Sequence, residues 1–102
     1  MSKDIIQLER ERLAWSIKTF SEATPTSSLK KCEDELLEIE ADIFLGKRNP
    51  MEYADALMCL FDSAGRQGID IEEIIEAFAA KLIINKQRTW KKNPNNTYSH
   101  IK

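Results

Sequence analysis

The chain has 102 residues, of which 42% are hydrophobic and 31% charged, and its formal net charge is −2. This composition is typical of a globular protein, and the length suits one small domain with one core, expected over residues 1–102. The net charge is not the positive one that is typical of nucleic-acid-binding proteins, so no nucleic-acid partner is expected. The apolar runs are too short to span a membrane, so no membrane partner is expected. Three Gly and three Pro leave little material for the turns of an all-β fold.

Hydrophobic periodicity predicts an all-α fold, in which a small protomer of four helices is followed by a polar tail. The N-terminal segment 1–22 carries the first helix, and residues 23–28 are expected to form a loop that can supply an N-cap to the second. Asn49-Pro50 is a typical helix start, Gly46 and Gly68 are typical stops, and Asp70 suits an N-cap. The predicted helices cover residues 4–22, 29–45, 50–67 and 71–90, and the tail covers residues 91–102.

The third helix is apolar over more than half of its circumference. A helix this apolar needs burial on several sides, and a chain of this length can hardly cover it alone. We therefore expect a homo-oligomer, a homodimer or homotetramer, with two-fold symmetry as the default. The apolar positions are Tyr53, Ala54, Ala56, Leu57, Met58, Leu60, Phe61 and Ala64.

Two acidic doublets, Glu35-x-x-Glu38 and Glu52-x-x-Asp55, lie on successive predicted helices. Residues three apart share one helix face, so two antiparallel helices would bring four carboxylates together. Without a cation between them these charges would repel strongly. The cluster therefore either points into water or is built around a divalent metal ion.

Each doublet also has an alternative interpretation that needs no metal. On the second helix, Lys31, Glu35, Glu38 and Asp42 form a stripe that could be a solvated face with a Lys31–Glu35 pair. The main apolar stripe is expected beside it, at Leu29, Cys32, Leu36, Ile39 and Ile43.

On the third helix, Glu52 could complete a capping box with Asn49, and Asp55 suits the helix dipole. Capping does not explain Asp62, a poor helix former in the middle of the helix on the same stripe as Glu52 and Asp55.

The fourth helix carries the spacing Lys81-x-x-x-Asn85-x-x-Arg88. Asn85 falls inside the apolar arc, and Lys81 and Arg88 lie on its edge, so the three read as a polar ladder that points inward. Cations also suit a helix C-terminus, which would explain Lys81 and Arg88 but not Asn85. The apolar arc, expected to be buried, consists of Ile71, Ile74, Ile75, Phe78 and Leu82.

Together these patterns indicate phosphate-ester chemistry, in which metal ions and cationic donors surround one pocket. The order Glu35-x-x-Glu38, Glu52-x-x-Asp55 and Lys81-x-x-x-Asn85-x-x-Arg88-x-Trp90 resembles the all-α MazG-like nucleoside triphosphate pyrophosphohydrolases. The resemblance is closest to their phage-type dATP/dGTP diphosphohydrolase branch, and it covers roughly residues 15–102. Its further marks are the segment Glu38-Ile-Glu-Ala-Asp42 and the ending Ser99-His100-Ile101-Lys102.

The resemblance implies hydrolysis of a nucleoside triphosphate, expected to be a purine (deoxy)nucleotide, to the monophosphate and pyrophosphate. It implies that Glu35, Glu38, Glu52 and Asp55 are the catalytic, metal-binding carboxylates, holding Mg²⁺, with Mn²⁺ as the alternative. Substrate binding is implied for Lys31, Lys81, Asn85 and Arg88. The chain departs from the pattern at Lys31, where close relatives often carry His, and this leaves substrate preference open.

Two other functions compete with hydrolysis. The same scaffold could serve as a non-catalytic helical module that binds a nucleotide or a protein. A ferritin-like di-iron bundle is the weaker alternative, since no Glu-x-x-His pair is present. Cys32 and Cys59 form no CxxC and suit buried free thiols, so a reducing cytosol, bacterial or phage-infected, is expected. His100 is expected to be a surface residue of the tail.

Overall fold

The computed structural model describes residues 4–102; residues 1–3 of the expected N-terminal segment lie outside them. The chain falls into two compact units, one ending at Glu72 and the other covering Glu73–Lys102. The single domain expected from the sequence stays a prediction. The elements are α1 (Ile5–Thr19), α2 (Pro25–Phe44), α3 (Pro50–Arg66), α4 (Ile71–Gln87), β1 (Trp90–Lys92) and β2 (Tyr98–His100). Four helices account for most of the chain, so the all-α prediction is confirmed.

The helix starts follow local hydrogen bonding. Asp4 caps α1, with its carboxylate accepting from the backbone N–H of Ile6 at 2.8 Å. Asp70 does the same before α4, where it accepts from the backbone N–H of Glu72 at 3.0 Å. Since α1 ends at Thr19 and α4 at Gln87, each stops three residues before its predicted end.

The start of α2 corrects the prediction of a loop over residues 23–28. Thr24 and Ser27 form a capping box: each side-chain oxygen accepts from the other's backbone N–H, at 3.0 and 2.8 Å. Pro25 occupies the first helical turn, where its missing N–H costs nothing. With these caps the helix begins four residues earlier than its apolar pattern indicates. Ser27 stands where the motif usually has Glu or Gln, so the sequence does not show the capping box clearly.

The predicted polar tail, residues 91–102, forms a β-hairpin together with Trp90. β1 pairs antiparallel with β2, with Trp90 opposite His100. The turn is closed by a 2.7 Å hydrogen bond from the N–H of Asn93 to the carbonyl of Thr97, and Asn96 adopts a left-handed φ of 68°. Asparagine tolerates this conformation better than most residues. Strands of three residues are too short to show periodicity in the sequence.

The first unit is organised around α3, which packs along α2 and also contacts α1. The contact with α1 is close at Gly65, where an added Cβ would lie 2.6 Å from a methyl carbon of Leu13. Together these contacts bring the polar faces of three helices to one place.

The buried stripe of α2 differs from the predicted one. Its buried residues are Ser28, Cys32, Glu35 and Ile39, at one-turn spacing. Leu36 and Ile43, expected in the core, are 55% and 63% exposed. The helix is therefore rotated so that a carboxylate, rather than leucine, faces α3.

The apolar arc predicted for α4 is largely uncovered. Ile71 is buried, but Phe78 is 72% exposed. The predicted arc is therefore not buried as a whole in the single chain. None of the described helices is long and apolar enough to cross a membrane.

Candidate active site

Three of the four predicted metal-binding carboxylates come together in the structure. Glu35 of α2 and Glu52 and Asp55 of α3 each offer an oxygen, and these atoms all lie within 4.8 Å of one another. Glu35 is buried, Glu52 half-buried and Asp55 exposed, so the cluster opens to solvent on the Asp55 side. We refer to these three residues as the carboxylate cluster. Glu38 is exposed at its rim and acts on the pKa of Glu52.

The capping-box interpretation of Glu52 is wrong. Asn49 makes no side-chain capping bond at the start of α3 and instead reaches the carboxylate of Asp42 at 3.4 Å. Oε2 of Glu52 is buried and has no hydrogen-bond partner among the described residues. Because a buried polar atom without a partner is costly, this oxygen is a place where a cation would be stabilising.

The close approach of the carboxylates changes their pKa values. The neighbouring Glu38 carboxyl, together with burial and Glu35, raises the pKa of Glu52 to about 7. Burial opposes ionisation of Glu35, but the hydrogen bonds with Lys31, Glu52 and Glu38 together outweigh it, and the pKa of Glu35 is lowered. Nζ of Lys31 lies 3.3 Å from Oε1 of Glu35, so the predicted Lys31–Glu35 pair is present. The solvated-face interpretation fails for Glu35, which is buried, whereas Glu38 is exposed.

The donor set fits a hard divalent cation. All of its members are carboxylate oxygens, which Mg²⁺ and Mn²⁺ prefer. The unpartnered oxygen of Glu52 supplies an independent sign that the cluster accepts positive charge. The assignment of Glu35, Glu38, Glu52 and Asp55 as metal ligands stays a prediction that this geometry supports.

The polar ladder of α4 belongs to the second unit. Oδ1 of Asn85 is buried without a hydrogen-bond partner among the described residues, and the backbone carbonyl of Asn85 accepts from the indole N–H of Trp90 at 3.0 Å. Arg88 is half-buried, and Lys81 is exposed. A role in substrate binding remains a prediction for Lys81, Asn85 and Arg88.

Asp62 has a different role from the cluster that shares its stripe. Its Oδ1 accepts from Arg12 Nη1 at 3.0 Å and from the Ser16 hydroxyl at 2.8 Å. Its Oδ2 accepts from the Ser28 hydroxyl at 2.7 Å and from Arg66 Nε at 2.6 Å. These four bonds join α1, α2 and α3, and we call the five residues the Asp62 network.

The two arginines of the Asp62 network make further contacts, with backbone carbonyls and with one more acid. Arg66 also donates to the carbonyls of Ala23 and Ser16, at 3.0 and 3.1 Å, and the guanidinium of Arg12 makes a two-pronged contact with buried Glu9. Burial alone would raise the pKa of Asp62, but its four hydrogen bonds hold it far below the usual range. The sequence offered one signal of this network, the helical spacing of Asp62 and Arg66; the other partners are distant in sequence.

A cavity of about 420 Å³ lies beside both the carboxylate cluster and the Asp62 network. Lys31, which pairs with Glu35, lies in its wall, as does Cys59, one helical turn beyond Asp55. The rest of the wall consists of Arg12, Trp15, Ser16, Phe20, Ala23, Ser27, Ser28, Met58 and Asp62.

Sequence comparison finds a matching family and similar phage proteins. A model of the dATP/dGTP pyrophosphohydrolase family matches residues 8–102. A dATP/dGTP diphosphohydrolase of Cyanophage S-2L is 31% identical over 101 residues, covering 99% of this chain and 91% of the relative. A dATP/dGTP diphosphohydrolase of Salmonella phage PMBT28 is 32% identical over 87 residues, or 85% of this chain. The chain spans only 28% of the length of that second relative.

The fold is that of the MazG-like all-α proteins. A solved structure of the Cyanophage S-2L MazG-like pyrophosphohydrolase matches with a TM-score of 0.80 and 31% identity, over 99% of this chain and 100% of that one. That protein holds dGDP and three catalytic Mn²⁺ ions per active site. The chain belongs to the dATP/dGTP pyrophosphohydrolase family, as the motif resemblance indicated.

Proposed function

We propose that this protein hydrolyses a purine (deoxy)nucleoside triphosphate between the α and β phosphates, releasing the monophosphate and pyrophosphate. The observation that carries the proposal is the carboxylate cluster with the unpartnered oxygen of Glu52. Support comes from the relatives, which are dATP/dGTP diphosphohydrolases, and from the Mn²⁺ ions in the related structure.

In this proposal Glu35, Glu52 and Asp55, with Glu38 at the rim, hold Mn²⁺ or Mg²⁺. When bound, the metal supplies positive charge that neutralises the triphosphate and polarises the attacking water. The residues of the chain orient the substrate. Lys31 lies where it can leave Glu35 for a phosphate oxygen, since its side chain is 61% exposed.

The remaining predicted substrate-binding residues, Lys81, Asn85 and Arg88, are proposed to contact the triphosphate. Their side chains offer donors to phosphate oxygens, and the unpartnered Oδ1 of Asn85 offers an acceptor to the nucleotide. Because no glycine-rich phosphate loop is present in the sequence, these side chains and the metal carry the charge neutralisation.

We further propose that the protein acts as a homodimer or homotetramer in the cytosol of a bacterium or a phage-infected host. On α3, Tyr53, Leu57, Met58 and Leu60 are each 45% or more exposed in the single chain. Apolar surface of this extent on neighbouring turns is typical of an interface.

Product analysis in ¹⁸O-labelled water tests the reaction. With dATP or dGTP and Mn²⁺ or Mg²⁺, we expect pyrophosphate and a monophosphate that carries the label, because water attacks the α-phosphorus. Orthophosphate with a nucleoside diphosphate would contradict α–β cleavage. If the protein binds nucleotide but turns over none, the non-catalytic binding module is the correct interpretation.

A further inference from the structure

We propose that Cys32 and Cys59 form a reversible disulfide that links α2 to α3 when the protein meets a small-molecule disulfide. These are the two cysteines of the chain, and both are free thiols in the structure. They lie between the carboxylate cluster and the Asp62 network. The proposal goes beyond the proposed function and does not depend on it.

Contacts on either side of the two cysteines fix the register of α2 against α3. On one side the hydroxyl of Ser28 donates to Oδ2 of Asp62 at 2.7 Å. On the other side carboxylate oxygens of Glu35 and Asp55 lie within 4.8 Å of each other. Residue numbers rise along α2 as they fall along α3, so the two helices are antiparallel at this contact.

Cys32 and Cys59 occupy the level between these two contacts. Cys32 lies four residues after the first contact residue of α2 and three before the second, and Cys59 divides the same interval of α3 in the same proportion. Because residues three or four apart share one face of a helix, each cysteine is directed toward the opposite helix. Measured from the Asp62 contact, their levels differ by one residue, or about 1.5 Å along the helix axis.

A direct contact confirms this register. Sγ of Cys32 donates to the backbone carbonyl oxygen of Ala56 at 3.6 Å. A helical carbonyl points toward the C-terminus and accepts from the fourth residue along, so this oxygen lies beside the turn that contains Cys59. The sulfur of Cys32 is therefore packed against the turn of α3 that carries its partner.

Cys59 is the thiol that a small molecule can reach first. It is half-buried and lies in the wall of the 420 Å³ cavity, whereas Cys32 is only 9% exposed. Burial, together with the nearby Glu35 and Cys32, raises the pKa of the Cys59 thiol. Since only the thiolate attacks a disulfide, we expect the exchange to be slow at neutral pH.

The oxidation consists of two thiol–disulfide exchanges. The thiolate of Cys59 attacks one sulfur of the small disulfide, a mixed disulfide forms, and one small thiol leaves. The thiolate of Cys32 then attacks Sγ of Cys59, the protein disulfide forms, and the second small thiol leaves. The two cysteines lose two electrons and two protons, which the small disulfide gains as it becomes two thiols. In a reducing cytosol the equilibrium favours the free thiols.

The disulfide links the two helices that carry the carboxylate cluster. It closes a loop from Cys32 to Cys59, which lowers the conformational entropy of the unfolded chain. We expect the oxidised protein to melt about 10 °C above the reduced protein. Glu35 and Asp55 each lie one turn from the link, so the cluster should stay assembled at temperatures that unfold the reduced protein.

Treatment with 2-hydroxyethyl disulfide, followed by alkylation of the remaining thiols and mass spectrometry, tests the proposal. The wild type should lose two hydrogens, take up no alkyl group and yield a cross-linked peptide that contains Cys32 and Cys59. Dithiothreitol should reverse the change and the rise in melting temperature. A protein that keeps both thiols, stops at a mixed disulfide or forms only intermolecular disulfides would overturn the proposal.

Cys32→Ser and Cys59→Ser are the matched variants. Cys32→Ser lacks the second thiol, so it should stop at the mixed disulfide on Cys59 without a gain in melting temperature. Cys59→Ser keeps only the buried thiol and should react far more slowly than the wild type. An equal gain in the wild type and in Cys32→Ser would show that no disulfide stabilises the protein. If a variant does not fold, the mass and melting data of the wild type decide.

Nucleotide turnover is measured separately on the reduced protein. Absence of turnover on every nucleotide would contradict the proposed function and leave the disulfide intact as a finding, because mass and melting temperature require no substrate.

Discussion

Nζ of Lys31 lies 3.3 Å from Oε1 of Glu35, and this ion pair is the only one recorded at the carboxylate cluster among residues 4–102. The lysine side chain is 61% exposed, so water screens the pair, whereas Glu35 is buried. One screened cation cannot offset the negative charges of Glu35 and Asp55, and the raised pKa of Glu52 reflects the same repulsion. The metal-free protein therefore carries electrostatic repulsion at this site that a bound cation would relieve.

Glu52→Gln should separate metal binding from folding. Glutamine keeps the shape of the side chain and removes a charge that faces Glu38 and Glu35. In EDTA the melting temperature should stay the same or rise, while the Mn²⁺-induced rise and the turnover should be lost. Thermal unfolding with and without Mn²⁺, together with kcat on a dNTP, checks both effects.

Glu40→Gln is the control for this variant. It makes the same chemical change at an exposed position of α2, and it should keep both the metal response and the activity. A folded Glu52→Gln protein with wild-type turnover would remove Glu52 from the metal site.

Asp62→Asn should be the most destabilising of the acid-to-amide substitutions. The variant leaves the guanidinium groups of Arg12 and Arg66 without their shared carboxylate. Removing one partner of a buried ion pair costs about 3 kcal/mol or more. Urea unfolding at neutral pH measures the loss of free energy.

Asp70→Asn provides the comparison, because the pair of Asp70 with Arg10 is exposed. Its loss should cost much less than the loss of Asp62, because water screens the pair, and asparagine can still cap α4. Equal stability of Asp62→Asn and wild type would show that the Asp62 network contributes no net stability.

The stability contributed by Asp62 should depend on pH in a defined direction. Its pKa is lower in the folded protein than in the unfolded chain, so folding favours the ionised form. This contribution is complete above about pH 5 and is lost as the pH falls through the ordinary Asp range toward the lowered pKa. The free-energy gap between wild type and Asp62→Asn, measured by urea unfolding from pH 7 to pH 3, should therefore shrink. A constant gap would contradict this assignment.

The sequence predicted those features that depend on local spacing. Asn49-Pro50 marked the start of α3, and the two doublets at i and i+3 marked the cluster, because helical geometry alone puts such pairs on one face. The sequence did not reveal which face of α2 would be buried. Which face is buried depends on the contact with α3, and in the structure Glu35 is buried whereas Leu36 is exposed.

Interactions between residues distant in sequence were the ones missed. Asp62 stood out as an unexplained acid, but its partners Ser16 and Ser28 lie 46 and 34 residues away and belong to no motif. The hairpin was missed because its strands are short and its turn residues resemble a loop.

The exposed apolar face of α3 predicts an oligomer at micromolar concentration. Leu57 is 45% exposed in the single chain, and burying a leucine side chain contributes about 1.5–3 kcal/mol. Leu57→Glu should therefore dissociate the assembly and abolish activity, as measured by sedimentation velocity and turnover. The control Gln67→Glu adds the same charge at an exposed position beyond α3 and should remain assembled. A stable and active wild-type monomer would contradict this prediction.

Mn²⁺ binding to wild type and to Glu35→Gln tests whether the carboxylate cluster is the metal centre. Electron paramagnetic resonance counts the free Mn²⁺, and thermal unfolding in parallel shows that both proteins are folded. We expect the wild type to bind Mn²⁺ and to gain about 2.7 kcal/mol of stability at a free concentration 100 times its dissociation constant. Glu35→Gln should fold and lose both the binding and the gain, while Asp34→Asn on the exposed face of α2 keeps them. Unchanged Mn²⁺ binding by folded Glu35→Gln would contradict the assignment of the carboxylate cluster as the metal centre.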